Sequence, residues 1–80
     1  MKIHVKFFAR YREAVGMDAL SVDGQFTKVD DVRALLADRQ GFDVLSELNL
    51  MCARNEELCQ LDEPLVDGDE VAFFPTVTGG

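Results

Sequence analysis

The sequence has few of the residues that mark metal sites, nucleic-acid surfaces and membrane spans. It contains no Trp, one Tyr, one His and two Cys. A zinc site needs about four ligands in close pairs, which Cys52 and Cys59 do not supply. We interpret both as small thiols of the core or of a strand. With 8 basic and 15 acidic residues and a net charge of −7, the chain is not expected to bind nucleic acid or an anionic membrane, because both attract Lys and Arg.

Long apolar stretches are also missing. No run approaches the roughly 20 residues that cross a bilayer. Residues 1–8 alternate charged with apolar side chains, unlike a signal peptide. These features predict a cytoplasmic protein, and nothing in the sequence predicts a bound metal or cofactor.

Charge is unevenly distributed along the chain. Residues 1–12 carry four bases and no acid, whereas 62–80 carry five acids and no base. An acidic surface of this kind either aids solubility or steers the protein toward a basic partner. Composition alone favours the first interpretation.

Alternating hydrophobicity predicts most of the strands. Residues 2–7 place Ile3, Val5 and Phe7 on one face, and 19–23 place Leu20 and Val22 inward. Further strands are predicted at 50–54, at 58–61 after a turn at 55–57, and at 70–75, where Pro75 marks the end. His4 falls on a polar face, so we expect it at the surface.

Helical spacing predicts a short helix at 9–15, ended by Gly16, and a longer one at 27–40. Thr27 is the candidate N-cap, with Asp30 at the third helical position. Residues 42–50 are expected to form a short helical turn. One main helix against a mixed sheet predicts an α+β domain. Its expected core consists of Ile3, Val5, Val22, Val32, Leu35, Leu36, Val71 and Phe73.

The sequence offers little catalytic chemistry. With one outward-facing His, a Ser/His/Asp set cannot be assembled, and no Gly-rich loop has the order of a phosphate-binding loop. The final residues, Gly79-Gly80, are more informative. Glycine loses the most entropy on ordering, so such a tail has little to hold it in place, yet it is narrow enough to thread a pocket.

Several large apolar residues are expected on the uncovered face of the sheet, because side chains alternate between the two faces along a strand. Phe74 is opposite in parity to Val71 and Phe73, and Phe8 is opposite to Phe7. Exposed apolar residues that cluster mark a partner surface. We therefore predict that Phe8 and Phe74 bind a partner.

Three segments resemble one known family: FFARYRE at 7–13, PLVDGDEVAFFP at 64–75 and VTGG at 77–80. They are similar to the small subunits of molybdopterin synthase, which are β-grasp, ubiquitin-like sulfur carriers. The resemblance spans essentially the whole chain. Thr76 departs from it, since many members have Pro there.

The resemblance implies a β-grasp domain at 1–75 and a flexible tail at 76–80, formed by Thr76, Val77, Thr78, Gly79 and Gly80. It implies that a ubiquitin-activating-type adenylyltransferase uses ATP to adenylate the Gly80 carboxylate, which becomes a thiocarboxylate. The large synthase subunit, in a heterotetramer, would then pass the sulfur to cyclic pyranopterin monophosphate. The resemblance also adds Leu58 and Pro75 to the partner-binding residues.

Two other functions stay open. In the first, the chain is a sulfur carrier or protein modifier of another pathway, such as that of thiamine. A terminal Gly-Gly does not distinguish these proteins, because they share it. Alternatively, it is a β-grasp interaction module with an inert tail. In none of these functions is the chain an enzyme on its own.

Overall fold

A five-stranded sheet frames the part of the chain that the computed structural model describes, residues 1–76. Strand β1 (Lys2–Phe7) is followed by helix α1 (Ala9–Val15), β2 (Ala19–Asp23) and helix α2 (Val29–Ala37). A 3₁₀ helix (Asp43–Ser46) then precedes β3 (Met51–Arg54), β4 (Glu57–Cys59) and β5 (Glu70–Phe74). Residues 77–80 lie outside the described residues, and with them the predicted Val77, Thr78, Gly79 and Gly80.

The strand order is β2-β1-β5-β3-β4, with β1 and β5 parallel at the centre and the other neighbours antiparallel. The predicted mixed sheet and α+β class are therefore confirmed. In the register, Val5 lies beside Val71 and Phe7 beside Phe73, which places the alternating apolar residues of both central strands on one face.

The core lies between that face and helix α2. Seven of the eight predicted core residues are buried, but Leu35 is not: it is 43% exposed, whereas Leu36 is fully buried. Val29, Val32 and Leu36 already complete one helical stripe, so Leu35 lies about 100° away around the helix. Aromatic and aliphatic side chains from outside the predicted list complete the core: Tyr11, Phe26, Phe42, Leu45 and Leu65.

Helix α2 is shorter than predicted, and its first turn is capped differently. Lys28, not Thr27, occupies the N-cap position, and Asp31, not Asp30, is the third helical residue. The Asp31 carboxylate accepts hydrogen bonds from the backbone N–H of Thr27 at 2.8 Å and of Lys28 at 3.2 Å. These bonds lower the pKa of Asp31. The carboxylate thus binds the two backbone donors at the start of the helix. The Val29 and Asp30 N–H groups, which a threonine cap would have served, donate instead to the Glu63 and Leu61 carbonyls.

The strand ends also differ from the prediction. Strand β3 starts at Met51, β4 covers Glu57–Cys59 rather than 58–61, and β5 ends at Phe74 rather than at Pro75. The turn between β3 and β4 has only two residues, Asn55 and Glu56, both with positive φ. Such a tight turn matches the twist of the strands, so Glu57 pairs directly with Arg54.

Candidate partner-binding face and tail root

The sheet face away from α2 carries a row of small and apolar side chains. Lys6 lies beside Ala72, Ala72 beside Ala53, and Ala53 beside Leu58, so these four residues share that face. Phe74 shares it too, because it follows Phe73 on β5. We call this surface the open face.

Phe8 and Phe74 lie together on the open face. They line one shallow groove of about 530 Å³ with Ala53 and Ala72 at its floor. Phe8 is 46% exposed, and Phe74 is partly buried. The two alanines are nearly covered, which leaves the aromatic rings as the accessible apolar surface. Parity therefore placed both rings correctly, while their role in partner binding stays a prediction.

Leu58 lies on the same face but outside that groove. It belongs to the edge strand β4 and is 69% exposed. Its neighbour Ala53 links it to the groove floor, so a partner that covers the groove and extends over one more strand reaches Leu58. Pro75 is partly exposed just beyond the end of β5.

A charged pair borders the groove. Lys6 Nζ and Glu70 Oε1 are 3.1 Å apart, and both side chains line the groove wall. The pair is partly exposed, so it adds little to folding stability. It gives the apolar groove a polar rim, which is the usual anatomy of a protein–protein interface.

The predicted tail leaves the domain beside the groove. The Phe8 N–H donates to the Phe73 carbonyl at 3.3 Å, which ties the start of α1 to the end of β5. Three residues after Phe73, the Thr76 hydroxyl donates to the Asn49 carbonyl. We call Pro75 and Thr76 the tail root. The segment that accepts Thr76 lies between the 3₁₀ helix and β3.

That accepting segment is held by a cluster that sequence reasoning missed. Glu47 accepts two hydrogen bonds from the Arg10 guanidinium, both at 2.7 Å, and one from the Tyr11 hydroxyl at 2.8 Å. The bonds from Arg10, and then the one from Tyr11, lower the pKa of Glu47 to about 2. Burial, followed by the bond to Glu47, raises the pKa of Tyr11 to about 12. Glu47 lies 37 residues from Arg10 and 36 from Tyr11, and no local pattern in the sequence indicates a contact between segments so far apart.

A buried carboxylate fixes the loop that leads into β5. Asp69 is 5% exposed and accepts hydrogen bonds from Arg54 Nε at 2.8 Å, Asn55 Nδ2 at 3.0 Å and the Val66 N–H at 2.8 Å. These donors satisfy the buried charge, as burial requires. Asp69 thereby joins the loop before β5 to the β3–β4 hairpin.

The single histidine of the chain, His4, lies at the surface, as the sequence predicts. The His4 ring bonds the Ser21 hydroxyl at 3.0 Å on an exposed part of the sheet. Within residues 1–76, no three His, Cys, Asp or Glu side chains come together as a metal site. No helix in the same stretch has the length and apolar character to cross a membrane.

A family model described as the ThiS family matches residues 5–80. This chain belongs to the ThiS family. It is 48% identical to the molybdopterin synthase sulfur carrier subunit of Escherichia coli, over 98% of this chain and 99% of the relative. The subunit of the same name from Haemophilus influenzae is 39% identical, with the same coverage. Small archaeal modifier protein 3 of Haloferax volcanii is 33% identical over the full length of both chains.

Solved structures have the same fold. The small archaeal modifier protein SAMP1 of Haloferax volcanii superposes with a TM-score of 0.80 at 28% identity, over the full length of both chains. A chain from the complex of subunits 1 and 2 of molybdopterin-converting factor from Helicobacter pylori has a TM-score of 0.70 at 27% identity, again over both full chains. The predicted β-grasp, ubiquitin-like fold is thus confirmed.

Proposed function

We propose that this ThiS-family chain is the sulfur carrier subunit of a molybdopterin synthase, and that Gly80 carries the sulfur. The observation that supports it best is the 48% identity to a sulfur carrier subunit over 98% of this chain, because a similarity of that extent includes both the domain and the tail. The matched family model also extends through Gly80.

The proposed chemistry activates a poor acyl donor. In the first step, a Gly80 carboxylate oxygen attacks the α-phosphorus of ATP, and pyrophosphate leaves. A sulfide-level nucleophile, hydrosulfide in the simplest case, then attacks the acyl carbon of the adenylate and displaces AMP, and loss of the sulfur's proton yields the thiocarboxylate. Its sulfur is a soft nucleophile toward cyclic pyranopterin monophosphate. The adenylyltransferase and the large subunit supply the catalytic groups, and this chain supplies the reacting atom. Consumption of ATP fits the cytoplasmic location expected from the sequence.

Docking and reaction are assigned to different parts of the chain. The open face, with Phe8, Leu58 and Phe74, binds the large subunit, and the same face binds the adenylyltransferase at an earlier step. A domain docked through this face places the tail root at the border of the interface, since Phe8 and Phe73 are hydrogen-bonded beside it. Four extended residues beyond Thr76 span at most about 14 Å, so docking must bring the catalytic pocket within that distance.

Deletion of Gly80 tests this division. The shortened tail loses about 3.5 Å of reach and its proper carboxylate, which abolishes sulfur transfer. The complex with the large subunit should still form, because the open face is intact. We would measure molybdopterin formed from the precursor and complex formation by gel filtration. Sustained product formation by the deleted chain, without a thiocarboxylate in its mass spectrum, would leave the inert interaction module as the remaining interpretation.

A protein modifier is the second candidate, favoured by the 33% identity to small archaeal modifier protein 3 and by the TM-score of 0.80 to SAMP1. A modifier forms an isopeptide bond between Gly80 and lysines of other proteins. A sulfur carrier returns with a free carboxylate. Mass spectrometry of the chain and its conjugates, beside the molybdopterin assay, separates the two.

A further inference from the structure

Cys52 and Cys59 face each other across the β3–β4 hairpin. They are register partners on antiparallel strands, and their Sγ atoms are 3.7 Å apart. The Cys52 thiol also donates to the Cys59 carbonyl at 3.4 Å. An S–S bond is about 2.05 Å long, so the two sulfurs need to approach by less than 2 Å in total. Small changes at the two side-chain torsions provide movement of that size.

The two thiols differ in access. Cys52 is 2% exposed and packs in the core, whereas Cys59 is only partly buried. Cys59 also lines an open pocket of about 230 Å³ with Arg54, Asn55 and Glu63 around it. A small polar oxidant therefore reaches Cys59 from solvent, while Cys52 is almost completely covered.

We propose that this pair is a thiol modification site, at which hydrogen peroxide converts the two cysteines into an intramolecular disulfide. The Cys59 sulfur attacks one peroxide oxygen, the O–O bond breaks, and water leaves with the transferred proton. The Cys52 sulfur then attacks the sulfur of the resulting sulfenic acid, the S–O bond breaks, and a second water leaves. Two thiols and one peroxide thus yield one disulfide and two waters.

The surroundings make this reaction slow at neutral pH. Burial, and next the contact with Cys59, raises the pKa of Cys52 to about 12. Burial also raises the pKa of Cys59, with Glu63 acting in the same direction and Arg54 against it. Since the thiolate is the nucleophile, the rate should rise with pH, and Cys59 should react before Cys52.

The bond would reinforce the edge of the sheet. Within the described residues, β4 pairs with β3 alone. A disulfide between these strands ties the edge strand to its neighbour without touching the open face, because Leu58 points to the opposite side from Cys59. The oxidised chain should therefore stay folded, with amide exchange in β4 slower than in the reduced chain.

Peroxide treatment of the full chain, followed by intact mass and thiol titration in denaturant, tests the proposal. Because peroxide also converts methionine to its sulfoxide, the mass is read against the steps of about 16 Da that Met1, Met17 and Met51 add. Beside those steps we expect a loss of about 2 Da and of both titratable thiols, reversed by dithiothreitol, and faster at pH 9 than at pH 7. Cys59→Ser and Cys52→Ala, checked for folding by circular dichroism, should instead gain oxygen in steps of about 16 Da or stay unchanged.

Three results would overturn the proposal: two titratable thiols left in the treated chain, oxygen added to the parent chain without loss of hydrogen, or a disulfide-linked dimer. None of these readouts needs a partner or sulfur transfer. The outcome is therefore independent of the proposed carrier function.

Discussion

The two faces of the sheet use similar residues for different purposes. Phe73 and Phe74 are adjacent on β5, but Phe73 is fully buried under α2, while Phe74 lies half-covered in the groove of the open face. The covered face determines the fold, because its side chains have no other place to be buried. The open face keeps its aromatic side chains accessible, and their burial is left to a partner.

The sharpest test of this comparison substitutes the two neighbouring phenylalanines. Phe73→Ala should lower the free energy of unfolding by about 3–5 kcal/mol, because it leaves a cavity in the core. Phe74→Ala should lower it by less than about 1 kcal/mol, but weaken the complex with the large synthase subunit by about 2 kcal/mol, or roughly 30-fold in Kd. Urea denaturation and calorimetry measure the two quantities.

If Phe73→Ala does not fold, Phe73→Leu replaces it with a smaller cavity. An equal loss of unfolding free energy in the Phe73 and Phe74 variants would return Phe74 to the core. Unchanged affinity of Phe74→Ala would remove it from the interface.

A second adjacent pair tests the helix that covers the sheet. Leu36 is fully buried and Leu35 is 43% exposed. Leu36→Ala should lower the free energy of unfolding by about 2–5 kcal/mol and Leu35→Ala by less than about 1 kcal/mol. Both variants replace a leucine of the same helix by alanine, so the change in helix propensity is the same in both. Each therefore serves as the control for the other. Similar losses would mean that the predicted stripe, with Leu35 inside, was right.

The sequence predicts strand faces better than helix faces, and the two pairs show why. A strand alternates with a period of two, so Phe73 and Phe74 must point to opposite sides. On a helix, Leu35 and Leu36 are only about 100° apart, and the pattern cannot say which one the sheet covers. Similarly, either Thr27 or Asp31 is able to cap α2, and only the folded backbone selects the carboxylate.

Contacts between distant segments lay beyond sequence reasoning. Parity identified Phe8 and Phe74, and composition identified the Gly79-Gly80 end. The family resemblance added Leu58, Pro75 and the expected chemistry of Gly80. Neither predicted the bonds of Glu47 to Arg10 and Tyr11 or of Thr76 to Asn49, because these depend on how α1, the 3₁₀ helix and the end of β5 come together. The residues that form these bonds follow no regular spacing in the sequence that would have predicted the contacts.

A substitution in the tail root is expected to have a smaller effect than the substitutions in β5 and α2. Thr76→Val keeps the shape of the side chain but removes the hydroxyl that binds the Asn49 carbonyl. A hydrogen bond of this kind contributes about 1 kcal/mol, so kcat for sulfur transfer should fall by up to about five-fold. The affinity for the large subunit should not change. Thr76→Ser retains the hydroxyl and should restore the rate; failure of this rescue would show that the methyl group, and not the bond, matters.

The smallest effect is expected from the acid titration of Glu47. Its pKa of about 2 in the folded chain lies below the ordinary value of 4.5, chiefly because Arg10 and then Tyr11 donate hydrogen bonds to it. The carboxylate therefore stabilises the fold above about pH 4.5, and this contribution is lost as the pH falls from 4.5 toward 2. Glu47→Gln keeps an acceptor for Tyr11 but loses the charge. The difference in Tm between parent and variant should be constant above pH 5 and shrink toward pH 2.

Asp31, whose pKa is also lowered, titrates in both chains and does not alter the difference. A difference that stays constant down to pH 2 would mean that the bonds from Arg10 and Tyr11 do not hold the Glu47 carboxylate in solution.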